Sequence, residues 1–325
     1  MLYPLLAVLF GTAALIWSAD RFVQGAAAMA KNLGMSVFII GLTIVALGTS
    51  APEIIISSSA ALSGSPGLAI GNALGSNIAN IGLVLGITAL IAPLCIQPQV
   101  LREDIPILIV ISLVAGLLLF DERLDQWDGY ILIAMLLGYL YFLFRHKTKI
   151  AHAADSELIS HELEEEIDEQ HLSSGQAFFY FISGLVVLLG SAKILVWGAQ
   201  EIALAAGIDE AIIGLTLVAL GTSLPELAAS ISSTLKGHHD LAVGNIIGSN
   251  IFNLLTVLPM PALLAPSDIP AATFSRDFST LFLLTVLLLL LPLLGKKQYI
   301  TATKGIVLLA LYIGYYAVLY QSEMA

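Results

Sequence analysis

Charge is scarce in this chain. Only 11% of its 325 residues are Asp, Glu, Lys or Arg, against about a quarter in soluble domains. Cysteine is nearly absent: Cys95 stands alone, which excludes an intramolecular disulfide and suits inert packing. Histidine is missing where chemistry would need it. His146, His152, His161, His171, His238 and His239 all fall in predicted loops or helix ends, so the apolar stretches offer no imidazole for a soft metal or a nucleophile–base pair. The 13 Lys and Arg residues form no stripe suited to nucleic acid. Nor do apolar and polar residues alternate with the period of two that a transmembrane β-barrel requires.

What fills the chain instead is apolar: 58% of residues, with mean hydropathy +0.93. Ten stretches, at roughly 2–33, 36–61, 67–94, 104–120, 128–145, 176–204, 210–235, 240–265, 278–294 and 301–320, approach or exceed the ~20 residues that span a bilayer. Lipid offers backbone groups no partners, so these stretches are expected to be helices. The expectation is an all-α integral membrane protein of ten transmembrane helices, its main partner the lipid bilayer. The first stretch follows no basic segment, and its Gly25-Ala26 and Gly34 return as Gly198-Ala199 and Gly207. It is therefore expected to be a first membrane helix rather than a cleaved leader.

Basic residues sort by loop. With the N-terminus outside, Arg21, Lys31, Arg102, Arg145, Lys147, Lys149, Lys236, Lys296, Lys297 and Lys304 fall on the inner side, and only Arg123 and Arg276 on the outer. The positive-inside rule then places both termini outside. Residues 146–175 become a cytoplasmic linker, rich in Asp and Glu between positions 155 and 169. It lacks the ligand spacing of an EF-hand and is expected to be solvated.

A polar block of about 30 residues occurs twice, 173 positions apart. Gly41-Leu42-Thr43-Ile44-Val45-Ala46-Leu47-Gly48-Thr49-Ser50-Ala51-Pro52-Glu53 returns as Gly214-Leu215-Thr216-Leu217-Val218-Ala219-Leu220-Gly221-Thr222-Ser223-Leu224-Pro225-Glu226. The same offset carries Gly71-Asn72, Gly75-Ser76-Asn77 and Asn80 onto Gly244-Asn245, Gly248-Ser249-Asn250 and Asn253. Five expected helices per half is an odd number, so the second copy enters the membrane from the opposite face. The domains expected are a first repeat (1–145), the linker (146–175) and an inverted second repeat (176–325). Inverted repeats with broken helices build secondary transporters, whose sites lie at the midplane. Glycine-mediated helix packing would explain the glycines, but not Glu53 and Glu226.

Pro52 and Pro225 each remove a hydrogen bond to the residue four positions earlier. The helices should bend or unwind at Gly48–Ser50 and Gly221–Ser223, turning carbonyls toward a cavity. Thr49, Glu53 and Ser57 share one helical face, as do Thr222, Glu226 and Ser230. Asn72, Ser76 and Asn80 form a second polar stripe, mirrored by Asn245, Ser249 and Asn253. A site of carboxylates, hydroxyls, amides and carbonyls suits hard cations, Ca²⁺ or Na⁺. Two facing carboxylates balance one divalent charge. An empty, doubly charged site is unfavourable in a low-dielectric cavity, so the sides should exchange only when Ca²⁺, Na⁺ or protons neutralise it.

These paired blocks resemble the α-repeats of the cation/Ca²⁺ exchanger superfamily, and the chain is similar over nearly its whole length to prokaryotic Na⁺/Ca²⁺ exchangers. The resemblance implies a central Ca²⁺ site at Glu53 and Glu226 with the carbonyls of Thr49 and Thr222. It implies flanking Na⁺ sites drawing on Ala46, Ser50, Ser76, Ala219, Ser223 and Ser249, with Asn80 and Asn253 nearby. Some relatives carry Asp at the position of Asn253, where in animal exchangers Asp accompanies K⁺ co-transport. Asn253 therefore implies K⁺ independence. Relatives also imply several Na⁺ per Ca²⁺ and gliding of the first and sixth helices over the other eight; because inverted repeats make a complete alternating-access unit within one chain, a functional monomer is expected. No cofactor beyond the transported Ca²⁺ and Na⁺ is expected.

The alternative is a Ca²⁺/H⁺ antiporter using the same pocket, which should carry more acidic or imidazole groups. A passive channel would need an oligomeric pore or symmetric rings, and an intramembrane enzyme would need a nucleophile–base pair or metal triad. At the repeat offset Asp20 falls opposite Lys193, which leaves two readings: the two pair or contact polar backbone at the seam of the first and sixth helices, or each snorkels or faces water separately.

Overall fold

The computed structural model describes residues 2–147, 172–207, 219–295 and 298–324. Most of the acidic linker and the start of the second polar block, 214–218, lie outside the described residues. In chain order the helices are α1 (Leu2–Asn32), α2 (Val37–Leu62), α3 (Pro66–Ile91), α4 (Ile105–Leu119), α5 (Gln126–Arg145), α6 (Ser174–Ala205), α7 (Leu224–Leu235, after the short helix Ala219–Thr222), α8 (His239–Leu264), α9 (Thr273–Leu293) and α10 (Ala302–Met324).

Eight of these, all but α4 and α7, are long and apolar enough to cross a membrane. The ten crossings expected from hydropathy are thus matched by eight helices of full length among the described residues. The α4 helix has 15 residues after a π-helical turn at Val100–Asp104. The α7 helix has 12 residues, and the stretch before it, 208–218, is not described.

Local chemistry sets the helix starts. Asp125 caps α5 by accepting from the backbone N–H of Trp127 at 2.8 Å, while Asp128 reaches back to the Asp125 N–H at 2.8 Å. Ser173 and Gln176 form the same reciprocal box at α6. Prolines 66, 106 and 225 occupy first-turn positions, where a missing N–H costs nothing.

Four two-residue strands depart from the all-α expectation. In chain order they are β1 (Leu94–Cys95), β2 (Arg123–Leu124), β3 (Ser267–Asp268) and β4 (Tyr299–Ile300). Strand β1, between α3 and α4, pairs antiparallel with β4, between α9 and α10. Strand β2, between α4 and α5, pairs antiparallel with β3, between α8 and α9. Pro93, Pro98, Pro266 and Pro270 flank these linkers and keep them out of helix. Pairing then satisfies their backbone groups. Each ribbon joins one half of the chain to the other.

Burial orders the helices. Within the most apolar window, 94% of α8 and 72% of α3 are buried, against 28% of α1, 28% of α6 and 17% of α10. The polar blocks therefore sit on the central helices. The apolar core around them includes Leu42, Ile70, Leu74, Ile78, Ile247 and Leu255.

Helices α1 and α6 pack against each other through glycine. A Cβ on Gly11 would meet Leu195, and one on Gly184 would meet Phe22. A Cβ on Gly25 would meet Phe181, and one on Gly198 would meet Val8. These contacts descend α1 as they climb α6, so the two helices are antiparallel. They are also exchanged by the repeat offset, each contact being the counterpart of another. The rings of Phe22 and Phe181 meet between the two helices, tilted by 31° with centroids 4.8 Å apart.

This register decides against an Asp20–Lys193 pair and for the reading in which the two stand apart. Level with Asp20 on α6 is Val186, and Lys193 lies seven residues, ~10 Å, further along. Asp20 instead pairs with Lys236, just past α7, at 2.7 Å. Gln24 Nε2 also donates to Asp20 Oδ2, at 3.3 Å. Lys193 is exposed.

Candidate cation site

Both polar blocks break their helices where the prolines require it. Ser50 interrupts α2 with φ −82° and ψ 4°, and Ser223 separates Ala219–Thr222 from α7 with φ −87° and ψ 1°. Helix resumes immediately, with Ile54 N–H donating to Ser50 O at 3.2 Å and Leu227 N–H to Ser223 O at 3.0 Å. Glu53 and Glu226 stand in the first turns of the resumed helices. An N-terminal turn stabilises a carboxylate through its unpaired N–H groups.

The two breaks meet in the centre of the molecule. Ser50 Oγ donates to Glu226 Oε1 at 3.3 Å. Thr49 Oγ1 donates to Asn245 Oδ1 at 3.2 Å, and Asn245 Nδ2 donates to Ser230 Oγ at 3.2 Å. The counterpart in the other half is Asn72, whose Nδ2 donates to Ser57 Oγ at 2.9 Å and to the Glu53 carbonyl at 3.2 Å. Glu53 and Glu226 lie within electrostatic reach of each other, and each is only 1% exposed. Thr49, Ser50, Ser57, Thr222, Ser223 and Ser230 are also buried.

The second stripe lies on α3 and α8. Ser76, Asn80, Ser249 and Asn253 are all buried. Asn80 opens a π-helical segment, Asn80–Leu85, and Asn253 opens its counterpart, Asn253–Val257. A π turn widens the helix and re-aims side chains, and such turns recur at functional sites. Periodicity does not disclose them. Ala46 is buried as well. Ala219 begins the short helix before the second break, and its side chain lies outside the described residues.

Several of these buried atoms lack partners among the described residues: Glu53 Oε2, Glu226 Oε2, Ser223 Oγ, Ser249 Oγ, and both amide atoms of Asn80 and of Asn253. A buried polar atom left unpaired costs about 1–3 kcal/mol. Such a cluster, repeated in both halves, calls for a ligand supplied from outside the chain. The acceptors in it are oxygens. The described residues contain no group of three or more His, Cys, Asp or Glu placed to hold a metal, so a bound cation would rest on two carboxylates and many neutral oxygens. That donor set fits Ca²⁺ or Na⁺.

Asn77 and Asn250 were not picked out by spacing, although both belong to the duplicated Gly-Ser-Asn. Each donates Nδ2 to its own helix, to Ala73 O at 2.9 Å and Ile246 O at 2.7 Å. Each leaves a buried Oδ1 without a partner among the described residues.

The glycines of the block do serve packing. A Cβ on Gly248 would strike Leu42 O and Ala46 Cβ, and one on Gly244 would strike Phe38 O. A Cβ on Gly41 would strike Leu241 O. Backbone contact between α2 and α8 brings Thr49 within reach of Asn245.

Comparison with known proteins agrees with this geometry. Residues 3–145 and 176–321 match the model of the sodium/calcium exchanger protein family. CaxA of Alkalimonas amylolytica is 45% identical over 323 residues, covering 99% of this chain and all of CaxA. The inner membrane protein YrbG of Escherichia coli is 37% identical over 94% of this chain and 95% of its own. The sodium/calcium exchanger MaX1 of Methanosarcina acetivorans is 31% identical over 97% and 98%. Among solved structures, the sodium-calcium exchanger NCX_Mj superposes with a TM-score of 0.82 at 32% identity, covering 98% of this chain and 99% of its own. The protein is an integral membrane transporter for cations including Ca²⁺ and not an enzyme, and the chain belongs to the sodium/calcium exchanger family.

Proposed function

We propose that this chain exchanges Na⁺ for Ca²⁺ across the membrane by alternating access, without K⁺. Ca²⁺ would sit between Glu53 and Glu226, with the carbonyls of Thr49 and Thr222 completing its shell. Na⁺ would use the flanking positions Ala46, Ser50, Ser76, Ala219, Ser223 and Ser249, with Asn80 and Asn253 facing them. The observation that carries this reading is the duplicated set of unpartnered buried oxygens around two carboxylates. Those oxygens can be satisfied by a hard cation and then by its competitors, and competition for shared ligands makes exchange obligatory.

The architecture proposed is ten crossings in two inverted repeats, 1–145 and 176–325, joined by a cytoplasmic linker. Two relationships support inversion. Repeat-equivalent helices α1 and α6 run antiparallel. The linker ribbons join β1 to β4 and β2 to β3, never a linker to its own counterpart. An inverted repeat puts the α3–α4 and α9–α10 linkers on one face of the membrane and the other two linkers on the opposite face. The charge distribution supports termini on the outer side of a bacterial inner membrane, and one chain carries both halves of the site, as a functional monomer requires.

Proteoliposomes test the coupling ion. Ca²⁺ uptake should follow an outward Na⁺ gradient and persist with a protonophore present. Uptake that follows only a pH gradient would assign the same pocket to Ca²⁺/H⁺ antiport, and uptake with no counter-ion would indicate a channel.

A further inference from the structure

The two halves differ at one repeat-related place on the lipid-facing surface. Between α4 and α5 runs a groove of about 490 Å³, walled by Pro106, Val110 and Ile111 on one side and Met135, Tyr139 and Phe142 on the other. Arg102 and Glu103 stand at one end. In the second half the corresponding positions are tied together. Arg276 and Asp277, counterparts of Glu103 and Asp104, pair at 2.6 Å. Tyr315, counterpart of Phe142, donates to Asp277 Oδ1 at 3.1 Å, and Arg276 Nη1 donates to Ser322 Oγ at 2.6 Å. Phe142 has no hydroxyl with which to make such a bond.

We propose that the α4–α5 groove seats one acyl chain of an anionic phospholipid, with its phosphate on Arg102. The dimensions fit. From Arg102 to Ile111 the helix rises ~13.5 Å, close to half of the ~30 Å hydrocarbon core, so the groove runs the depth of one leaflet. Its walls are apolar and its charged end lies where a headgroup would lie. Arg102 is exposed and has no partner among the described residues. Glu103, at the same end, already accepts from Gln99 Nε2 at 3.2 Å. Arg145, ending α5 on the same side, holds its guanidinium 5.5 Å from the Tyr141 ring centroid and adds a second positive charge. Basic clefts between membrane helices select anionic headgroups in this way.

Native mass spectrometry of the full chain, exchanged into detergent with phosphatidylglycerol or phosphatidylcholine, provides the test. The wild type should retain one phosphatidylglycerol in preference to phosphatidylcholine. Val110→Trp should fill the groove and abolish retention. Arg102→Gln should weaken it about tenfold, as loss of a charge-assisted hydrogen bond does. Leu283→Trp, at the counterpart of Val110, should change nothing. Both Val110 and Leu283 are exposed, so neither tryptophan enters the core. Equal retention of the two lipids, or retention unaffected by Val110→Trp, would overturn the proposal. So would loss in Val110→Trp with Arg102→Gln unchanged, because it would remove the phosphate from Arg102.

Discussion

The hydroxyl of Ser50, at the helix break of the first repeat, donates to Glu226 Oε1 of the second repeat at 3.3 Å. The site proposed here therefore draws on both halves. If Ser50 also offers its hydroxyl to Na⁺, Ser50→Ala removes one ligand and one partner of Glu226. The apparent Na⁺ affinity of exchange should fall about tenfold or more, the ~1.5–3 kcal/mol worth of one hydrogen bond to a charged group. Na⁺ titration of Ca²⁺ uptake measures it, with thermal stability as the control for folding.

Asn253 bears on K⁺. Both amide atoms are buried and without partners among the described residues. On the proposed site, Asn253→Asp would add a third carboxylate to the two of Glu53 and Glu226 and call for one more monovalent charge. Wild-type exchange should be unchanged when choline replaces K⁺, whereas the Asp variant should require K⁺. A wild type that stops without K⁺ would contradict K⁺ independence.

The Asp20–Lys236 ion pair ties α1 to the end of α7 at 2.7 Å. Membrane charges are costly when unpaired, so Asp20→Lys and Lys236→Asp should each impair transport and the double reversal should restore it. Lys193→Gln should transport normally. Rescue of Asp20→Lys by Lys193→Asp instead would contradict the observed register.

Gly248 is a packing position. Its added methyl would meet Leu42 O and Ala46 Cβ. Gly248→Ala should destabilise the protein by about 1–3 kcal/mol, the usual penalty of overpacking, and lower its melting temperature. It should also reduce transport by pushing α2 from α8. Gly67→Ala, where nothing lies within 4 Å of the added Cβ, should have no such effect.

The duplicated block was legible in the sequence because repetition marks it and proline chemistry fixes the break. Ser50 and Ser223 leave helix where Pro52 and Pro225 demand. Burial of Glu53, Glu226 and their hydroxyl and amide neighbours followed from placing polar groups within apolar stretches. Other features depend on three-dimensional register. That Asp20 does not meet Lys193 is set by how α1 and α6 slide against each other, and its pairing with Lys236 by how α1 packs against the end of α7, neither of which a repeat offset encodes. The π turns at Asn80 and Asn253 widen the helix without changing residue spacing. The two-residue ribbons arise only when linkers from different halves meet. The α4 helix, Ile105–Leu119, lies within its apolar stretch, but the π turn at Val100–Asp104 that leads into it carries Arg102, Glu103 and Asp104 and has no signal in the apolar pattern.

Equilibrium Ca²⁺ binding to the purified protein, compared with Glu53→Gln and Glu226→Gln, tests the central claim most directly. Each replacement keeps the shape and removes one of the two buried charges that would neutralise the ion. Binding and Ca²⁺ uptake should fall by at least about a hundredfold in either variant, since an unbalanced buried charge costs ~3 kcal/mol or more, while each variant remains folded. Near-normal Ca²⁺ binding in either variant would contradict the site.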